Sequence, residues 1–371
     1  MKITIEREAL LRALGHAQSV VERRNTIPIL SNVLLKAKGE SLALTATDMD
    51  IEIAEAVAAQ VNEAGETTVP VHMLYEIVRK LPDGCQVVLE GDEAHGMKIK
   101  SGRSNFRLGC LPVADFPQMA GGDLPHSFVL AAAELRALID RTRFAISTEE
   151  TRYYLNGIYL HAATGGEFPA LRAAATDGHR LARVEAPLPQ GASGMPGIII
   201  PRKTVQELRK LIEDATGDIT LSLSETKIRF VCGDTALTSK LIDGSFPDYE
   251  RVIPTANDKL LELDPKAFAT AVDRVAIITS DKSRAIRLSL SPGLLVIEAT
   301  SAENGSASEE IDISYDGAPL QIGFNARYLL EIMQQVQGDV CRLSMADASM
   351  PTIIRDGADE SALYVLMPMR V

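Results

Sequence analysis

The 371-residue chain reads as an α+β protein made of three copies of one unit, each with two helices packed on antiparallel sheet. Three observations lead there. Four sequence segments recur three times in the same order, at spacings of 124 to 133 residues. Two segments of each copy carry apolar residues at helical spacing. The stretches between them alternate apolar and polar residues, as half-buried strands do. The spacing is too long for a solenoid and fits domains of about 120 residues.

The first recurring segment is ITIEREALLRAL (3–14), over VLAAAELRALI (129–139) and LELDPKAFATAV (261–272), aligned on Leu10, Leu135 and Phe268. It predicts the first helix of each copy. The stripes are Leu10, Leu11, Leu14, Ala17 and Val21, then Leu135, Leu138, Ile139 and Ile146, then Phe268, Val272 and Val275. The second segment is ATD at 46–48 and 175–177 with ATS at 299–301, set in strand-like runs such as SLALTATDMDIEIAEAV. The third is VPVHMLYEIVRKL (69–81), IPRKTVQELRKLI (200–212) and FNARYLLEIMQQV (324–336), where Glu76, Glu207 and Glu331 coincide. It predicts the second helix of each copy. The fourth pairs CLPVADFPQM (110–119) with LIDGSFPDYE (241–250), and more loosely with VLMPM (365–369). Polar and Pro/Gly-containing stretches at Gly121–Pro125 and Arg251–Thr255 set the boundaries, giving domains 1–124, 125–253 and 254–371.

Composition excludes several function classes. No apolar run approaches the ~18 residues of a membrane helix, and the N-terminal segment lacks the apolar core of a signal peptide. Cys85, Cys110, Cys232 and Cys341 stand far apart with no CxxC, so a reducing cytoplasm is expected, without disulfide or zinc. The sequon Asn304-Gly305-Ser306 therefore carries no weight. His16, His72, His95, His126, His161 and His179 show no metal-ligand spacing. GxxxxGK[ST], strand-anchored GxGxxG, HExxH and GxSxG are all absent, which speaks against an enzyme and against a cofactor.

Net charge is −12, at face value unsuited to nucleic acid. Its placement reverses that inference. The helix windows 7–24, 71–80, 132–148, 202–212, 265–284 and 326–337 carry +9 together, leaving −21 elsewhere. Arg12, Arg136, Arg202, Lys203, Arg209, Lys210 and Arg274 lie off the apolar stripes and are expected to point away from each sheet. A surface biased to one sign attracts phosphate without reading bases.

In combination, RYYLNG (152–157), ATDGHRLA (175–182), PRK (201–203), SKLIDGSFPDYERV (239–252) and MPMR (367–370) resemble the family of bacterial DNA polymerase III beta subunits, the sliding clamps. The resemblance runs the whole chain. It implies the DNA-clamp fold: a head-to-tail homodimer closed as a ring around double-stranded DNA, helices inward, sheets outward, non-catalytic, holding polymerase on its template. It also implies a hydrophobic groove between the second and third domains for short peptides of the polymerase III alpha subunit, the clamp loader, other polymerases and repair proteins. Carried over by position, the groove comprises Leu155, Thr176, Gly178, His179, Arg180, Leu181, Pro247, Arg251, Val252, Val365, Met367, Pro368, Met369 and Arg370. The expected roles are apolar walls from Leu155, Leu181, Val252, Val365 and Met367, and rim hydrogen bonds from Arg180, Arg251 and Arg370. The implied DNA contacts are Arg24, Tyr153, Tyr154, Arg202 and Lys203. The implied dimer contacts are Arg103, Phe106, Arg107 and Leu108 against Ile277 and Ile278, with Glu298 and Glu303 as acidic partners.

The chain departs from the family in two places. ATSAENGSASEEID is less densely acidic, and Met350-Pro351 replaces small polar residues found in some relatives. The Gly-His-Arg triplet after ATD occurs in the second copy alone, which points to an added role there. The competing readings are His179 as a base beside Asp177, for which no nucleophile motif exists, and a monomeric peptide-binding scaffold.

Overall fold

The computed structural model describes residues 1–92, 96–119, 121–165, 168–280 and 284–370. His95 and Val371, both named above, lie outside the described residues, as does 281–283 of the fifth helix window. Among the described residues the α-helices are α1 (Arg7–Val20), α2 (Val71–Lys80), α3 (Ala132–Asp140), α4 (Arg202–Leu211), α5 (Pro265–Ala276) and α6 (Ala326–Met333). Every sheet ladder is antiparallel. The chain forms two compact units.

The first unit comprises Met1–Arg136, Pro189–Pro196 and Lys203–Leu241. It contains a five-stranded sheet, in the order Gln60–Glu63, Lys2–Glu6, Gln86–Asp92, Gly96–Ser101, Ser104–Gly109. It also contains an eight-stranded sheet in which Ile51–Ala58 of the first copy pairs with Thr235–Lys240 of the second, Glu55 opposite Thr235 and Ile51 opposite Ser239. The apolar stripe of α1 is buried against α2 and against Ser41–Thr47 and Ile51–Ala58, with Leu10, Leu14 and Val20 fully enclosed. Alternation predicts the strands, but a strand's partner is set by which open edge it can satisfy. That is why sheets run across the repeat boundaries.

The second unit comprises Ala137–Leu188, Gly197–Arg202 and Ile242–Val371. Its eight-stranded sheet runs Ile198–Pro201, Gly157–Ala163, Ala170–Thr176, Arg180–Pro187, Ala362–Leu366, Thr352–Asp356, Cys341–Met345, Lys259–Leu263. A four-stranded sheet, ordered Gly305–Asp312, Leu294–Ser301, Ala285–Ser291, Leu320–Asn325, carries α5 and α6. Asp264 caps α5 by accepting from the amides of Lys266 and Ala267, with Pro265 as first helical residue. Asn325 caps α6 through the amides of Arg327 and Tyr328.

Five of the six helices are shorter than their windows, and α2 matches its window. α1 stops at Val20; Val21, still buried, is already extended at φ −82° and ψ 124°, and Glu22, Arg23 and Arg24 beyond it are exposed. α3 stops at Asp140, where the buried Thr142 hydroxyl donates back to the Leu138 carbonyl at 2.6 Å. Ile146 is buried through the short 3-10 turn Arg143–Ala145 instead. The observed helices hold twelve basic and seven acidic side chains, a net +5, which leaves −17 elsewhere. The partition keeps its sign and loses about half its size.

Two of the arginines expected to point away from the sheets are already bonded within their own unit. Arg136 Nη1 donates to the carbonyls of Ile212 and Ala215, both at 2.7 Å, at the end of α4. Arg274 is bonded to Glu309 on the strand Gly305–Asp312, its Nε lying 2.9 Å from Oε2. Arg7, which begins α1, is buried and donates to the carbonyls of Val78 (3.1 Å) and Arg79 (2.8 Å) at the end of α2. The last carbonyls of a helix lack intrahelical donors, and these guanidinium groups supply them.

Candidate peptide groove and charged surfaces

In the second unit, the turn Thr176–Arg180 leads into the strand Arg180–Pro187, which pairs with Ala362–Leu366 so that Leu181 faces Val365. Asp177 Oδ1 accepts from the amides of His179 (2.9 Å) and Arg180 (3.1 Å). The Thr176 hydroxyl donates to the Arg180 carbonyl at 2.7 Å and accepts from the Gly178 amide at 3.1 Å. Gly178 has φ +88°, a conformation that favours glycine, and a Cβ there would lie 2.6 Å from Arg152 Nη1. Arg152 in turn donates to the Asp177 carbonyl at 3.1 Å and forks onto Glu149 at 2.7 and 2.8 Å. That bond holds the Glu149 carboxyl below its ordinary pKa. The C-terminal tail is fixed by amide bonds from Met367 to the His179 carbonyl and from Met369 to the Gly323 carbonyl, both 2.9 Å.

Three of the expected groove residues come together in one buried cluster. Leu155, Leu181 and Val365 are buried in one cluster with Ala174, Ile199, Phe246, Tyr249 and Leu363, so they form a floor. Val252 and Met367 are 50% and 41% exposed, and Pro247 is exposed as well. Thr176, Pro368 and Met369 are half-buried, and Gly178, His179, Arg251 and Arg370 are exposed. Arg251 Nε lies 2.8 Å from Asp248 Oδ2.

Arg180 is the exception, and the rim role expected of it is wrong. It is 6% exposed, with Nε 3.1 Å from Asp177 Oδ2, Nη1 on Glu331 and Nη2 2.6 Å from the Phe144 carbonyl. Its guanidinium carbon sits 5.0 Å from the Phe144 ring centroid and 4.4 Å from that of Tyr328. Burying a guanidinium is tolerable only when it is paired and hydrogen-bonded, and here it is both. Arg180 therefore locks the turn to α6 and places the exposed His179 ring, which stacks on Tyr328 at 6.0 Å. Both Asp177 oxygens are committed to the backbone and Arg180, so Asp177 does not orient His179 as a base.

Sequence reasoning missed Tyr328, Phe144, Phe246 and Tyr249 as site residues. Phe246 and Tyr249 lay inside a quoted motif, and Glu331 inside a recurring segment. Nothing local marked them as neighbours of the Gly-His-Arg triplet.

The expected DNA contacts separate into two environments. In the second unit, Arg202 lines a polar recess of about 390 Å³ with His179, Arg143, Arg327 and Tyr328. Tyr153 is 54% exposed, whereas Tyr154 packs on the groove floor. In the first unit, Arg24 is exposed, but Lys203 Nζ lies 2.6 Å from Glu22 and 2.7 Å from Asp48. Partial burial lowers the pKa of Lys203, and the bonds to Asp48 and Glu22 more than reverse this, leaving it above its ordinary value.

Each unit also presents an open sheet edge. In the first, Ser104–Gly109 is an outer strand with Phe106 40% exposed, Arg103 and Arg107 exposed, and Leu108 half-buried. In the second, Gly305–Asp312 is an outer strand carrying Glu309, Glu310 and Asp312. Near it Ile277 is 79% exposed and Ile278 half-buried, the Ile278 carbonyl accepting from Asn304 Nδ2 at 3.2 Å.

A repeated two-helix-on-sheet scaffold with a buried-floor groove is the architecture of the DNA-clamp class. Profiles of the DNA polymerase III beta subunit match the chain in three parts: the N-terminal domain over residues 1–120, the central domain over 129–248 and the C-terminal domain over 250–370. The chain is 54% identical to the beta sliding clamp of Caulobacter vibrioides and 39% identical to that of Escherichia coli, in each case over 100% of both chains. A crystal structure of the Bartonella birtlesii sliding clamp bound to griselimycin superposes with TM-score 0.97 at 50% identity, covering 100% of both chains. The Pseudomonas aeruginosa clamp bound to griselimycin gives 0.95 at 41%, again over 100% of both chains. The chain belongs to the DNA polymerase III beta subunit family, the beta sliding clamps, and is a non-catalytic processivity subunit.

Proposed function

We propose that two copies of this chain join head to tail as a ring around duplex DNA in the cytoplasm. In this reading residues 1–124, 125–253 and 254–371 are its three clamp domains. The observation that carries the reading is the pair of open edges. An outer strand with Arg103 and Phe106 suits an outer strand with Glu310 and Asp312, because an unsatisfied edge seeks a strand and the opposite charges fix its register. Phe106 and Leu108 then meet Ile277 and Ile278 of the second copy, and Glu298 and Glu303 supply further acids. Each copy offers one edge of each kind, so two copies related by a two-fold axis make two such junctions and close a ring.

DNA is held by enclosure. Arg24, Tyr153, Tyr154, Arg202 and Lys203 touch phosphate and sugar without reading bases. Few firm phosphate contacts let the ring slide, and the acidic remainder keeps DNA off its outside. The groove takes short peptides of the polymerase III alpha subunit, the clamp loader, other polymerases and repair proteins. Griselimycin, bound by two relatives, is expected to compete with them.

Sedimentation velocity at micromolar concentration tests the assembly. The reading expects a dimer, and it expects Arg103→Glu to shift it towards monomer. A wild-type monomer would favour the isolated peptide-binding scaffold and refute the ring.

A further inference from the structure

A cavity of about 500 Å³ lies in the second unit, lined by Pro247 and by Phe246 and Tyr249 of the groove-floor cluster. Its wall is a column of three rings. Tyr159 stacks between Phe246, at 4.9 Å and 5°, and His161, at 4.7 Å and 24°. Tyr249 meets Tyr159 edge-on at 6.5 Å, and its hydroxyl is 2.8 Å from His161 Nε2. The column is built in, because Gly197 makes room for it: a Cβ there would lie 2.3 Å from the Tyr159 hydroxyl. Arg172 at the cavity's base is bonded to Glu250 and lies 2.9 Å from Glu185, and Asp248 on the rim is paired with Arg251.

From this we infer that the cavity is an accessory subsite for an aromatic side chain flanking the clamp-binding segment of partner peptides. This inference rests on the groove reading given above. Continuity supports it: Phe246 and Tyr249 pack in the same cluster as Leu155, Leu181 and Val365, so one wall serves both sites. Charge supports a neutral occupant, because the nearby cations are already matched by carboxylates. The ring column supports a planar one, since offset or edge-on ring pairs add attraction beyond buried area.

The test compares pairs of synthetic peptides from the clamp-binding segment of the polymerase alpha subunit. They are identical except for tyrosine or alanine scanned through the flanking positions. Binding is measured by fluorescence anisotropy, with griselimycin as competitor. The best tyrosine peptide is expected to bind about three- to tenfold tighter than its alanine counterpart, the range of one aromatic pair. His161→Ala and His161→Gln are each expected to erase that difference while leaving the alanine peptide unchanged. The glutamine variant keeps a hydrogen-bonding group for Tyr249, and thermal melting confirms that both variants are folded. Equal affinity of all peptide pairs, or a gain that survives in His161→Gln, overturns the subsite. Met367→Ala reports separately on the groove: it is expected to weaken both peptides, and binding unaffected by it and by griselimycin refutes the groove itself.

Discussion

Replacing Arg180 by alanine removes the one charge that ties the Thr176–Arg180 turn to α6. Arg180 is 6% exposed, while its partners Asp177 and Glu331 have side chains 17% and 25% exposed. Breaking a buried ion pair by deleting one partner costs about 3–5 kcal/mol. Water can reach the stranded carboxylates here, which places the loss near the low end, about 3 kcal/mol, or about two orders of magnitude in a local opening equilibrium. Hydrogen exchange reads this directly at the amides of His179 and Arg180, which bond Asp177, and of Met367, which bonds the His179 carbonyl. The variant should exchange about 100-fold faster there and bind peptide more weakly. Arg180→Lys should fall between the two, because a lysine keeps the charge but not the planar fork. Exchange within threefold of wild type, with peptide affinity still lost, would show that Arg180 contacts the ligand and would restore the rim role.

Four further outcomes follow from the same geometry. Relieving Lys203 with the double variant Glu22→Gln, Asp48→Asn should tighten non-specific DNA binding and steepen its salt dependence by about one ion per freed contact, measured by titration across salt concentrations. Gly157→Ala places a Cβ 2.3 Å from the Ile200 carbonyl oxygen, so it should destabilise by about 1–3 kcal/mol, read as a lower denaturation midpoint. Burial, more than any neighbour, pushes the His161 pKa below its ordinary value. The unfolded chain then binds the extra proton first, so this contribution holds above the unfolded pKa and is lost as pH falls through it; His161→Gln should flatten the decline in melting temperature between about pH 7 and 5. Burial also raises the Cys341 thiol to about 12, so in the folded protein at pH 8 it should resist alkylation until denaturant is added, followed by mass spectrometry.

Some of the molecule was legible in the chain because its signals are local. Leu10, Leu135 and Phe268 mark helix faces, Glu76, Glu207 and Glu331 mark a repeated position, and the resemblance gathered Leu155, Leu181 and Val365 into one site. What stayed hidden depends on contacts distant in sequence. Nothing in Ile51–Ala58 names Thr235–Lys240 as its partner. Arg136, Arg180 and Arg274 looked like surface cations, yet each is committed to a carbonyl or carboxylate. The helix windows overstated the basic bias because they run past the observed helix ends and count cations such as Arg23, Arg24, Arg141 and Arg143.

Topological enclosure is the central claim, and release from DNA tests it most directly. The protein is loaded onto a nicked circular duplex by its clamp loader, isolated by gel filtration, and the circle is then cut once with a restriction enzyme. A ring predicts co-elution with the circle at salt concentrations that abolish non-specific binding, followed by loss of the protein within minutes of the cut. Protein that stays bound to the linear product, or that leaves the intact circle as fast as the cut one, would contradict enclosure.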